Sequence, residues 1–216
     1  MSGPNAVCGA DPSLRGFGVS SSKEQIVIKT EPSDLETPSG NLLRRSQEII
    51  AKLVIFINRN YSNDDEILMV IEAPVLNAMG GAHHPYECGW LYCELYTRLP
   101  SMLDQKLHII EVPTSTLRKW AVGRGNMPKD QMKLEVYKKF GKEFELDPGA
   151  DKLFAWLLYK YGVAVLEKSI QHTPIARRGL GKGKKEQHAK ATSVKSPKKR
   201  TPKSPSGNSR SIPKPE

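Results

Sequence analysis

Two nearly continuous apolar runs, ILMVIEAPVL from Ile67 and LHIIEVP from Leu107, constrain the fold more than any other feature of this chain. Neither alternates apolar with polar residues, as a strand with one wet face does, so both read as strands buried on both faces. Strands of that kind form the interior of a sheet covered by helices, and a helix is expected between them, from about Pro85 to Pro100. Ahead of them, Ala6 to Ala10, the turn-rich DPSLRG, Phe17 to Ser20 and EQIVIKT read as a β-hairpin or meander. After a loop over 32–41, Asn41 is a candidate cap for a helix from Leu42 to about Asn58, in which Leu42, Leu43, Ile49, Ile50, Leu53, Val54 and Ile57 keep helical spacing. Beyond the second run come a helix turn and basic loop from Thr114 to Gly125, an amphipathic helix from Lys129 to Phe144, and a last helix from Gly149 to about Ser169. That order implies an α/β fold, a mixed sheet flanked by helices with an antiparallel part at its front.

Charge divides the chain. Residues 172–216 hold thirteen Lys or Arg against Glu186 and Glu216, whereas residues 1–171 hold twenty basic and twenty-one acidic residues. The net charge of +10 and the sequence pI near 9.5 therefore belong to an appendage. Its composition of Lys, Arg, Ser, Pro and Gly cannot bury a core, so 172–216 reads as a disordered basic tail and 1–171 as one folded domain. Cys8, Cys88 and Cys93 match no zinc spacing and no obvious disulfide framework, and read as reduced thiols packing a core. No apolar stretch is long enough to cross a membrane and no signal-peptide pattern opens the chain, so an intracellular, cytoplasmic protein is expected, with no membrane partner.

Three carboxylates stand where burial makes a carboxylate costly unless it is paired or bound to metal. They are Asp11 at the end of the first strand, Glu72 within MVIEAP, and Asp151 opening the last helix. Each has an ordinary explanation by itself. Asp11 suits an Asp-Pro-Ser turn, Glu72 an exposed strand end, and Asp151 the positive end of a helix. Together they match what phosphodiester hydrolysis by two divalent ions requires, carboxylates from separate elements converging on ions about 3.5–4 Å apart. Asp147, four residues before Asp151, would face the same way if that helix begins early enough.

In this arrangement the chain resembles the RuvC family of Holliday junction resolvases, within the ribonuclease-H-like superfamily, and especially its divergent phage-type versions. The resemblance rests on GADPSLRGFGV, MVIEAP, VPTSTLRKWAVGRGNMPKDQM and PGADKLFAWLLYKYG, which occur in family order over roughly residues 6–162. It implies a ribonuclease-H-like fold and a homodimer making paired nicks in branched DNA, in the cytoplasm of a bacterium or phage-infected host. It also implies dependence on Mg²⁺ or Mn²⁺ at a two-metal site, with no small-molecule cofactor. It assigns metal ligation and catalysis to Asp11, Glu72 and Asp151. Bacterial members carry a further acid three residues before the last Asp; here that position is Pro148, and Asp147, one residue earlier, is the candidate substitute. Lys129 or Arg124 is the implied cation near the scissile phosphate, with Lys129 taken into the catalytic set.

Arg118, Lys119, Arg124, Lys129 and Lys133 concentrate positive charge suited to a phosphate backbone. The Gly-rich VLNAMGGAHHPYE, carrying Met79, His83, His84 and Tyr86, is either a wedge that enters a junction and separates bases or a plain connector. Trp90, Leu91, Leu95 and Leu99 form a helical stripe, either core or dimer interface. Two further readings share these features: a ribonuclease-H-like nuclease acting on flaps or RNA–DNA hybrids, and a non-catalytic DNA-binding module of the same fold.

Overall fold

The computed structural model describes residues 3–74, 85–144 and 150–174, with backbone alone for 85–87. By internal contacts the chain divides after Ala176, and every described residue lies in the first unit. That unit contains β1 (Ala6–Asp11), β2 (Phe17–Ser20), β3 (Gln25–Ile28), α1 (Pro38–Asn60), β4 (Glu66–Glu72), α2 (Pro85–Ser101), β5 (Lys106–Val112), α3 (Thr114–Val122), α4 (Lys129–Phe140) and α5 (Asp151–Leu166).

The strands form one sheet in the order β3-β2-β1-β4-β5. β1, β2 and β3 are joined antiparallel, while β4 runs parallel to both β1 and β5. Because successive side chains on a strand face opposite ways, each strand feeds two cores. Cys8, Ala10, Ile67, Met69 and Ile71 enter the core shared with α1 and α2. Val7, Leu68 and Val70 enter the core shared with α3, α4 and α5. This is why the Ile67 run carries no alternation. Both faces of β4 are covered, and Ile67 to Ile71 are all buried.

α5 lies unusually close to the sheet. A Cβ on Gly9 would stand 2.2 Å from the backbone nitrogen of Tyr159, and one on Gly18 would stand 2.3 Å from the carbonyl oxygen of Asp151. Only glycine on β1 and β2 lets the helix backbone approach to that distance.

Several boundaries differ from the sequence expectation. α1 begins at Pro38, capped by Thr37, whose hydroxyl accepts from the Gly40 N–H at 3.2 Å, and proline at N1 suits the first turn. Asn41 instead sits inside the helix and ties the preceding loop, accepting from the Ser33 N–H and donating to the Ser33 carbonyl. α4 stops at Phe140 because Gly141 takes a left-handed conformation with φ 65°, and α5 starts at Asp151. β5 is the edge of the sheet; Lys106 is exposed, Leu107 to Glu111 are only partly buried and Val112 alone is buried, so its apolar sequence overstated its burial. The Leu91, Leu95 and Leu99 stripe is core, whereas Trp90 is 40 % exposed. Of the cysteines, Cys8 alone is buried; Cys88 is intermediate and Cys93 is exposed on α2, which corrects the expectation that all three pack a core. Among the described residues no helix is long and apolar enough to cross a membrane.

Candidate active site

Asp11 and Glu72 end adjacent parallel strands. The β1–β4 register runs to Ala10 opposite Ile71, so the next residue of each strand is one of these acids. Parity puts both on the face that carries Val7, Leu68 and Val70, beneath α5. The carboxyl ends of parallel strands, where the chain leaves the sheet, are the usual place for a ligand site in α/β folds.

α5 delivers the third acid to this point. Gly18 is the antiparallel register partner of Asp11, and its missing side chain is the space into which the first residue of α5 descends. The carboxylate of Asp151 lies over Gly16, where a Cβ would stand 2.2 Å from Oδ2. The residue before it, Ala150, is buried and held left-handed at φ 57°, a conformation that costs a non-glycine residue about 1–2 kcal/mol. Its carbonyl nevertheless accepts the first helical bond, from the Phe154 N–H at 3.0 Å.

The electrostatics reflect this crowding. Burial pushes the Asp11 carboxyl far above its ordinary range; the charge of Glu72, a hydrogen bond between the two carboxyls and the charge of Asp151 push it further the same way. Lys129 opposes the shift and is outweighed.

Two hydroxyls hold Glu72. Thr114, at the start of α3, donates to its carboxylate Oε1, and Tyr92, from α2, donates to its backbone carbonyl. The Tyr92 phenol is pushed upward by burial and by the charges of Glu72 and Asp11, so it stays a donor. Neither residue is among those expected from the sequence. Thr114 carries a weak signal there, since it directly follows the Val112-Pro113 strand end, but Tyr92 lies within an apolar stripe and carries none.

The oxygen-only donors Asp11, Glu72 and Asp151 suit a hard divalent cation such as Mg²⁺ or Mn²⁺, and their mutual repulsion is what a cation would relieve. Among the described residues, however, no group of three or more His, Cys, Asp or Glu side chains is arranged to hold a metal ion. Asp11 and Glu72 are turned onto each other by their hydrogen bond. Asp147, Met79, His83 and His84 lie outside the described residues, and of Tyr86 only the backbone, in the first turn of α2, is described.

The basic residues fall into two groups. Lys129 opens α4, is exposed, places its Nζ 5.5 Å from the Phe154 ring centre and lies near enough to Asp11 to influence its charge. Arg118 reaches the other helices instead: Nη1 donates to the Met127 carbonyl at 3.1 Å, the guanidinium stands 5.4 Å from the same Phe154 ring, and Nε is buried without a hydrogen-bond partner. Lys119 and Arg124 are exposed on α3 and the loop after it, and Lys133 is half-buried on α4.

A five-stranded mixed sheet, with β1, β2 and β3 joined antiparallel at the front, β4 and β5 parallel to β1 behind, and helices on both faces, gives the chain a ribonuclease-H-like α/β fold. Among solved structures it resembles Thermus thermophilus RuvC, with a TM-score of 0.50 at 16% identity over 71% of this chain and 90% of that one. It also resembles T. thermophilus RuvC in complex with Holliday junction substrate, with a TM-score of 0.51 at 16% identity over 74% and 95%. No family model and no curated protein matches the sequence.

Proposed function

We propose that this protein is a divalent-metal-dependent, structure-selective endodeoxyribonuclease that resolves Holliday junctions or other branched DNA by paired phosphodiester nicks. One observation carries the reading: Asp11, Glu72 and Asp151, distant in sequence, meet at one end of the sheet, where Asp11 feels the charge of both others. The similarity in fold to a resolvase solved with its junction supports it.

In this reading Asp11, Glu72 and Asp151, with Asp147, hold Mg²⁺ or Mn²⁺. When bound, such ions lower the pKa of a coordinated water and offset charge developing on the phosphate. Lys129, exposed beside the acids, fixes a phosphate oxygen of the strand to be cut. Lys119, Arg124 and Lys133 neutralise the backbone further along, with Arg118 holding the α3–α4 connection under them. Met79, His83, His84 and Tyr86 supply the element that enters the junction centre. The working unit is a homodimer, since paired nicks need two sites at a fixed separation. Residues 1–171 form the nuclease domain, and 172–216 a basic tail that adds salt-sensitive DNA attachment. The divergent phage-type branch of the RuvC family and a cytoplasmic setting complete the assignment.

The test is to incubate the protein and its Asp11→Asn variant with labelled four-way junction, flap, duplex and RNA–DNA hybrid, in Mg²⁺ and in Mn²⁺. Symmetric junction nicks that disappear in the variant are expected. Preferential cutting of flap or hybrid would transfer the assignment to another ribonuclease-H-like activity. Junction binding without cleavage by the unmutated protein would leave a DNA-binding module.

A further inference from the structure

We infer that Thr114 and Tyr92 are positioning residues that hold Glu72 at the acid cluster, the place where it ligates a divalent cation. The inference rests on the metal-site reading above. Glutamate has three side-chain torsions, and ordering a long, flexible chain costs up to about 1.5–2 kcal/mol. A ligand at the end of β4 therefore needs its oxygens placed before an ion arrives.

Thr114 meets that need by its place in the chain. β5 pairs with β4 to the register Glu72 opposite Val112, so the chain leaving β5 passes Pro113 and enters α3 beside Glu72. Threonine ordinarily uses its hydroxyl to cap a helix, but here Pro113 is the cap residue and makes no side-chain bond. The hydroxyl of Thr114 goes instead to Oε1 of Glu72. Oε1 is thus engaged by Thr114, and the same carboxyl also bonds Asp11.

Tyr92 acts on the backbone of the same residue. Its hydroxyl donates to the Glu72 carbonyl from α2, on the opposite face of the sheet from α5. Side chain and main chain of Glu72 are therefore held from two directions, by elements far apart in sequence. Four residues on, the Tyr96 hydroxyl donates to Glu111 Oε1 at 2.7 Å. Tyr96 has the same chemistry, on the same helix, but touches no acid of the site, which makes it the natural control.

The experiment is calorimetric titration of the full chain with Mn²⁺ alone, together with thermal melts. Partners of this kind typically contribute tenfold to a hundredfold to metal affinity, so Thr114→Val and Tyr92→Phe should each weaken Mn²⁺ binding by about tenfold or more. Thr114→Ser, which keeps the hydroxyl, should bind within a few-fold of the unmutated protein, and Tyr96→Phe should bind as it does. Unchanged Mn²⁺ affinity in Thr114→Val and Tyr92→Phe would overturn the inference. So would a Thr114→Ser variant as weak as Thr114→Val, because the methyl group would then be responsible. If Thr114→Val does not fold, Tyr92→Phe and Thr114→Ser decide alone. Failure of the unmutated protein to bind Mn²⁺ would overturn the metal reading itself, and this assignment with it.

Discussion

Gly18→Ala isolates the geometry that brings the last acid to the first. The added methyl would lie 2.3 Å from the carbonyl oxygen of Asp151 and 2.8 Å from its carbonyl carbon, whereas ordinary contact begins at 3.4 Å. Relief requires the start of α5 to withdraw by about 1.1 Å, the difference between 3.4 and 2.3 Å, because the obstacle is backbone rather than a flexible side-chain end. Overpacking of this kind costs about 1–3 kcal/mol. At about 2–4 °C per kcal/mol for a domain of this size, the melting temperature should fall by roughly 2–12 °C. The shift also carries the Asp151 carboxylate off the acid pair, and a displacement of about 1 Å at a reacting centre costs about a hundredfold in rate. Melts and single-turnover junction cleavage should be run beside Gly89→Ala, whose methyl meets nothing within 4 Å. That control sits inside α2 and should be neutral or stabilising by up to about 1 kcal/mol. A Gly18→Ala protein that melts and cuts like the unmutated one would refute the close-approach argument.

Asp11→Asn should stabilise the metal-free fold while abolishing cleavage. The Asp11 carboxyl is raised above its ordinary 3.8, so between that value and its raised one the native state holds a proton the unfolded chain has lost. Stability then falls as pH rises through this window, and the variant's gain in melting temperature should grow with pH across it and vanish toward the ordinary 3.8; a gain that grows on acidification would contradict the assignment. Ala150→Gly should stabilise by about 0.5–1 kcal/mol in denaturant melts, since glycine tolerates the φ of 57° at little cost, offset by its greater freedom when unfolded. Loss of stability there would show that the methyl's packing outweighs the strain. Removing residues 177–216 takes away thirteen Lys or Arg and should flatten the salt dependence of DNA binding without moving the melting temperature; an unchanged slope would assign DNA attachment to the folded unit alone.

Much of the architecture was legible because it depends on local pattern. The apolar run from Ile67 announced a strand covered on both faces, and β4 is that strand, while the spacing of Ile49, Ile50, Leu53 and Ile57 announced α1. Hydrophobic periodicity reports what each element buries, so it survives translation into three dimensions. Caps were less legible: Thr37 and Asn41 both suit a helix start, and the Pro38 that follows Thr37 decided between them. The edge position of β5 could not be seen, since apolar content does not say which neighbours a strand will have. The three acids could be proposed from sequence because each stands at the end of an element, where a carboxylate is conspicuous. Their convergence is a tertiary fact. It depends on the Ala10–Ile71 register, on Gly18 opposite Asp11, and on a left-handed Ala150 that lets α5 begin where it does. Tyr92 belongs wholly to that second kind of knowledge, and Thr114 almost so. A hydroxyl's role is set by the acceptor the fold brings within reach, and no periodicity in the chain records which acceptor that will be.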